Sequence, residues 1–240
     1  MELGGKSPVI VFEDANIDNA INGILAANFY SSGQICSNGT RVFVHHDIYE
    51  EVIEKLAQRA QNMKIGDPFN EATDMGPLVS AEHYEKVKEY MSIAKRSGAR
   101  HICGGEVPLS EELKNGFYIT PAIFADCTDD MQFVQEEVFG PLLSIMSFTD
   151  EDDVLRRAND TDFGLSGAVF TQNFSRAHRV ANKIQAGIVW INEYNVTPAE
   201  IPFGGYKQSG VGRENGLQAI EYYTQLKTIY ANLGDIPQLY

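Results

Sequence analysis

The chain has 240 residues, 43% of them hydrophobic, enough to fill the core of one large domain or two small ones. Its 19 basic and 33 acidic residues give a net charge of −14, which argues against a nucleic-acid or anionic-membrane partner and favours a soluble cytoplasmic protein. Three cysteines without framework spacing point to a reducing compartment, and no run approaches the ~20 apolar residues of a membrane span.

The opening Met1-Glu2-Leu3-Gly4-Gly5-Lys6 lacks a signal peptide's apolar core and starts inside a motif-like stretch, as expected of an internal start or a fragment. Val9 to Phe12 reads as a buried strand. Asn16 then caps a helix carrying Ile17, Ile21, Ile24 and Leu25. Arg41 to His45 reads as a strand and Tyr49 to Ala60 as a helix. Ser80 caps a helix that Gly98 ends, and Arg100 to Cys103 is a strand. The polar stretch from Gly104 to Gly116 leads to a strand over Tyr118–Phe124, where Pro121 predicts an edge or irregular position. Leu142 to Phe148 is a strand, followed by a helix opened by Thr149-Asp150-Glu151-Asp152 with a capping-box pattern. Leu165 to Phe170 is a strand, and Asn173 starts a helix that Gly187 ends. Ile188 to Ile191 is a strand, a glycine-rich loop runs to Gly212, and Glu214 to Tyr223 is helical. Leu226 to Ala231 reads as a terminal strand that pairs outside the domain. Strands alternating with helices predict an α/β fold with a mainly parallel sheet and flanking helices, with ligands beyond the carboxyl ends of the strands.

One stretch stands apart. Phe29-Tyr30-Ser31-Ser32-Gly33-Gln34-Ile35-Cys36-Ser37-Asn38-Gly39-Thr40 sets one cysteine in a polar loop between a helix and a strand. A thiol attacks carbon as a thiolate, and its unperturbed pKa of roughly 8.5 means that a base or a positive field must help. Taken alone, Cys36 is as well read as a small buried hydrophobe. Cys103 and Cys127 read as packed or loop cysteines.

Three further stretches carry charges beside glycines. They are Met1-Glu2-Leu3-Gly4-Gly5-Lys6-Ser7-Pro8, Gln135-Glu136-Glu137-Val138-Phe139-Gly140-Pro141, and the loop from Pro202 to Gly216. Each has a plain alternative. Glu2 and Glu137 read equally as solvated acids, Lys207 and Arg213 as loop charges, Glu214 as a helix-favouring acid, and the glycines as turn formers.

Taken together with Gly33-Gln34-Ile35-Cys36, the three stretches resemble the aldehyde dehydrogenase superfamily in order and spacing, over essentially the whole chain. Asn38-Gly39-Thr40-Arg41-Val42-Phe43-Val44, Arg157-Ala158-Asn159-Asp160-Thr161 and Gly212-Arg213-Glu214-Asn215-Gly216 resemble its betaine aldehyde dehydrogenases, with the trimethylaminobutyraldehyde dehydrogenases as near relatives. The resemblance implies NAD-dependent oxidation of an aldehyde, betaine aldehyde to glycine betaine, through a thiohemiacetal and a thioester on Cys36. NADP is the alternative cofactor.

It also implies roles residue by residue. Cys36 is the nucleophile, with its own N–H as half of an oxyanion hole. Glu2 is the general base, and Glu214 a charge-relay carboxylate. Glu137 holds the nicotinamide ribose beside Phe139, and Gly4 lets backbone meet the cofactor. Carbonyls of Lys207 and Gly210 hold potassium. Phe203, Tyr194 and Phe29 are candidate walls for a trimethylammonium head. Residues 1–223 form the catalytic domain, and 224–240 an oligomerisation strand and tail of a homo-oligomer, dimer or tetramer. Complete members are longer, so the NAD-binding domain is expected to be absent from this chain. Two other readings stand beside this one: a lobe that folds and associates without catalysis, and a thiol hydrolase using Cys36 with Glu2.

Overall fold

A computed structural model of the chain describes residues 1–108 and 110–238. In order, the elements are β1 (Pro8–Val11), α1 (Ile17–Phe29), β2 (Arg41–His45), α2 (Tyr49–Gln61), α3 (Ala81–Arg96), β3 (Arg100–Cys103), β4 (Ala122–Ala125), α4 (Gln132–Gln135), β5 (Leu142–Phe148), α5 (Glu151–Asn159), β6 (Phe163–Gly164), β7 (Ser166–Phe170), α6 (Phe174–Lys183), β8 (Ile188–Ile191), β9 (Tyr206–Lys207) and α7 (Ile220–Tyr223). The main sheet has seven strands in the order β3-β4-β5-β2-β1-β7-β8. All its pairings are parallel except β3 with β4.

Strand periodicity divides the core into two layers. Val9, Val11, Val42 and Val44 face α1 and α2, together with Ile24, Val52 and Leu56. Ile10, Phe43 and Met146 point the other way, toward Val87 of α3, Val154 of α5 and Val180 of α6. Both faces of β1 are covered, which is why it reads as a continuous apolar run. Each fully buried Val, Ile or Phe contributes about 1.5–3 kcal/mol, more than the cap of any one helix. Asn16 and Ser80 cap as predicted, accepting from the backbone N–H of Asn19 and His83, and Asp150 and Asn173, at two predicted helix starts, accept from those of Asp153 and Arg176.

Several sequence expectations are corrected. Pro121 does not mark an edge strand. It sits just before β4, outside the ladder, and β4 lies inside the sheet because β3 covers it. Residue 214 is not helical: Glu214 bridges Phe203, and the left-handed Asn215 and Gly216 delay the helical turns until Leu217. The Asn173 helix ends at Lys183, before Gly187, where a Cβ would overlap the Gly204 carbonyl. The expected strand over 226–231 is not among these corrections, since its pairing is expected outside the single chain. Leu226, Ile229 and Tyr230 are exposed and have no ladder partner among the described residues. The last two residues of the predicted tail, 239 and 240, lie outside the described residues. No described helix is long and apolar enough to cross a membrane.

Candidate active site

β5, β2 and β1 are neighbours in the sheet, and the candidate residues sit where the chain enters them. Glu2 and Gly4 precede β1, Cys36 precedes β2, and Glu137 and Phe139 precede β5. The site therefore forms at the amino ends of parallel strands, not at the carboxyl ends that the general rule for such sheets led us to expect. The reason is local: the three entering segments are tied to one another.

The nucleophile loop is fixed from several sides. Ser31, Ser32 and Gly33 are all left-handed, with φ of 52°, 57° and 74°. Ser32 Oγ donates to Gly76 O (2.8 Å), and Gln34 Oε1 accepts from Val79 N–H (2.9 Å). Asn38 Nδ2 donates to Gly33 O (2.6 Å), closing the loop across Cys36. Behind the cysteine, Ser37 O accepts from Tyr194 OH (2.7 Å) and from Ser166 Oγ (3.0 Å).

Cys36 itself is half-buried, and all three cysteines are free. Burial pushes its thiol pKa up, and the carboxylates of Glu2 and Glu137 push it the same way. The N–H groups of Ser37 and Cys36, aimed at the sulfur, partly offset them. Among the described residues no cation offsets this, so the thiol is held protonated until a base takes the proton. Cys103 and Cys127 are buried, one in each core layer. Desolvation drives Cys127 to about 12.

Glu137 turns its carboxylate onto the β1 entry. Oε1 accepts from Gly5 N–H (3.1 Å), and a Cβ on Gly4 would overlap this carboxylate. Gly4 is thus needed for close approach to Glu137. Oε2 receives no hydrogen bond among the described residues. Phe139 is left-handed (φ 57°). Its ring meets His83 edge-on at 5.9 Å, and its carbonyl accepts from His83 Nε2 (2.7 Å).

Glu2 pairs backbone to backbone with Gly210, with Leu3 N–H donating to Ser209 O (2.8 Å). This pairing brings Glu2 and Glu214, far apart in sequence, into one cavity of about 240 Å³ that Phe203, Arg213 and Tyr222 also line. Tyr223 OH donates to Glu214 Oε2 (3.3 Å). Lys207 lies within, and Gly210 just after, a turn closed by Ser209 N–H on Tyr206 O (3.0 Å), and both have positive φ. The Lys207 ammonium bonds the carbonyls of Asn159 (2.6 Å) and Thr161 (3.0 Å).

The proposed aromatic box does not assemble within this chain. Phe29 is sealed in the core, and Tyr194 packs on Trp190 (4.7 Å) with its hydroxyl committed to Ser37 O. Phe203 alone of the three faces the cavity. Sequence reasoning missed Tyr194, Ser166 and Asn38 as supports of the nucleophile loop. The only signal was the polar cluster around Cys36. The one histidine–acid group among the described residues that could hold a metal, His45-His46-Asp47, lies at the opposite end of β2.

Comparison with known proteins gives one consistent picture. The aldehyde dehydrogenase family model matches residues 1–229. Betaine aldehyde dehydrogenase of Brucella ovis is 55% identical over 240 residues, which are 100% of this chain and 49% of that protein. The Brucella anthropi protein of the same name is 54% identical over the same span. Betaine aldehyde dehydrogenase of Staphylococcus aureus, solved with NAD+, superposes with a TM-score of 0.91 at 42% identity, covering 92% of this chain and 44% of that one. An aldehyde dehydrogenase of Bacillus cereus, in its NAD+ complex, gives 0.93 at 46% identity, covering 97% and 47%. The chain thus spans about half the length of the curated relatives it matches.

Proposed function

The chain belongs to the aldehyde dehydrogenase family, and from that premise we propose that its Cys36 lobe carries out NAD-dependent oxidation of an aldehyde, with betaine aldehyde as substrate and glycine betaine as product. One observation carries this reading: the segments bearing Glu2, Cys36 and Glu137 enter the adjacent strands β1, β2 and β5 at their amino ends, and both carboxylates act on the thiol. Glu2 takes the thiol proton, and the thiolate attacks the aldehyde carbon to give a thiohemiacetal. The Cys36 N–H stabilises the oxyanion that forms. Loss of hydride leaves a thioester on Cys36, which water activated by Glu2 hydrolyses to the acid. Glu214, sharing the cavity, passes the proton toward solvent.

Residues that fit a cofactor are present. Glu137 offers the unpaired Oε2 to a ribose hydroxyl, with Phe139 beside it and the small Gly4 leaving room. When bound, NAD supplies the hydride acceptor. The same reading assigns potassium to the carbonyls of Lys207 and Gly210, residues 1–223 to the catalytic domain, and residues 224–240 to pairing within a homo-oligomer. It places the protein in the cytoplasm. Because the chain covers 49% of its relatives' length, a second reading has support: a lobe that folds but turns over nothing by itself.

Purified chain is mixed with betaine aldehyde and NAD, with and without potassium, and NADH is followed at its absorbance band. Turnover that Cys36→Ala abolishes supports the first reading. A folded chain that neither binds NAD nor turns over sinks it and leaves the second.

A further inference from the structure

A cavity of about 10 Å³ lies between the nucleophile loop and the segment carrying Glu137, and Lys6, Ile35, Asn38, Thr40, Glu137 and Phe139 are among the residues that line it. Three of these have unmet polar atoms. Asn38 Oδ1 and Thr40 Oγ1 are buried without a partner, in side chains that are 4% and 7% exposed. Lys6 is 2% exposed, and its amine makes one bond, to Phe133 O (2.9 Å). A buried acceptor left unpaired is costly, and two beside an under-used donor need a filling. The volume matches one water molecule, which needs about 10–15 Å³ and two to four polar partners.

We propose that this cavity binds one buried water molecule, held by Lys6, Asn38 and Thr40, and that this water clamps the Cys36 loop to the β1 entry, which Lys6 in turn ties to Phe133 O. The water accepts from the Lys6 amine and donates to Asn38 Oδ1 and Thr40 Oγ1. Asn38 and Thr40 belong to the segment entering β2, and Lys6 to the one entering β1. Asn38 grips Gly33 O across Cys36, and Lys6 grips Phe133 O, just before Glu137. Gly5 closes the gap between them, because a Cβ there would lie 3.0 Å from Cys36 O. Lys6 and Thr40 are thus positioning residues for the nucleophile. The inference rests on the proposed function only in taking Cys36 as the reacting thiol.

A high-resolution crystal structure of the chain tests the water directly. Thr40→Val, Thr40→Ser and Lys6→Met are then alkylated with iodoacetamide and mapped cysteine by cysteine. Thr40→Val and Lys6→Met are expected to free the loop and speed labelling of Cys36 about three- to tenfold, the scale of one lost buried hydrogen bond. Cys103 and Cys127 are expected to keep their rates, which separates local release from general destabilisation. Thr40→Ser, which retains the hydroxyl, is expected to label as the parent does. An empty cavity in the parent, or unchanged Cys36 labelling in both Thr40→Val and Lys6→Met, overturns the proposal. Neither outcome depends on aldehyde turnover, so a failed activity assay leaves this test intact.

Discussion

Gly33 of the nucleophile loop and Gly140 of the Glu137 loop meet backbone against backbone: a Cβ on Gly33 would overlap the Gly140 carbonyl. Gly33 is also left-handed, at φ 74°. Two independent reasons therefore demand glycine at this position. Gly33→Ala is expected to destabilise the fold by about 1–3 kcal/mol. Urea unfolding measures it, and an unchanged midpoint would contradict the close approach.

Gly4 meets a different neighbour, and the outcome differs accordingly. A methyl group there strikes the end of the Glu137 side chain, which can swing away, rather than fixed backbone. Gly4→Ala should leave the unfolding midpoint nearly unchanged while weakening NAD binding about tenfold, the effect of displacing one charge-assisted bond. Titration of NAD by fluorescence reads the affinity. Equal affinity in the variant would remove Glu137 from the cofactor site.

Cys36→Ala is expected to abolish aldehyde oxidation and leave the circular dichroism spectrum unaltered. In the parent, iodoacetamide should reach Cys36 before Cys103 or Cys127, because it is half-buried and they are buried. Its rate should climb through alkaline pH without a plateau near neutrality, since burial and two carboxylates raise its pKa. Fast labelling already at pH about 6 would mean an activated thiolate that this geometry does not supply.

Lys6 gives a stability signature. Burial first, and Arg41 second, lower its pKa from 10.5 to about 7. Between those values the unfolded chain carries a proton that the folded chain has shed. The unfolded state binds more protons there, so stability rises with pH across the window and levels off above it. Glu137, Glu136 and Cys127 act on the same amine in the opposite sense and narrow the window. Compared with Lys6→Met, the parent should gain in urea midpoint between pH about 7 and about 9. A constant difference across that range would mean that Lys6 does not titrate there.

Much of the fold was legible because its signals are local. β1, β2, β5 and β8 are apolar runs, and Asn16, Ser80 and Asn173 stand one residue before the helices they cap. The pairing of the candidate residues was legible as a set of motifs and not as geometry. Which end of the sheet holds them depends on contacts such as Gly5 N–H to Glu137, which join segments 132 residues apart. Aromatic identity alone could not tell Phe203, on a cavity, from Phe29 and Tyr194, in the core. Nor does the spacing around Cys36 reveal that its neighbours raise the thiol pKa.

The run of left-handed residues Ser31, Ser32 and Gly33 bears on how the sulfur is presented. Serine adopts this conformation only at a cost, so the surrounding contacts must hold it there, among them Ser32 Oγ on Gly76 O and the close approach of Gly33 to Gly140. The direction from which Cys36 is presented is therefore set by residues distant in sequence, and the strained turn is sustained by the folded lobe as a whole and not by the loop's own sequence.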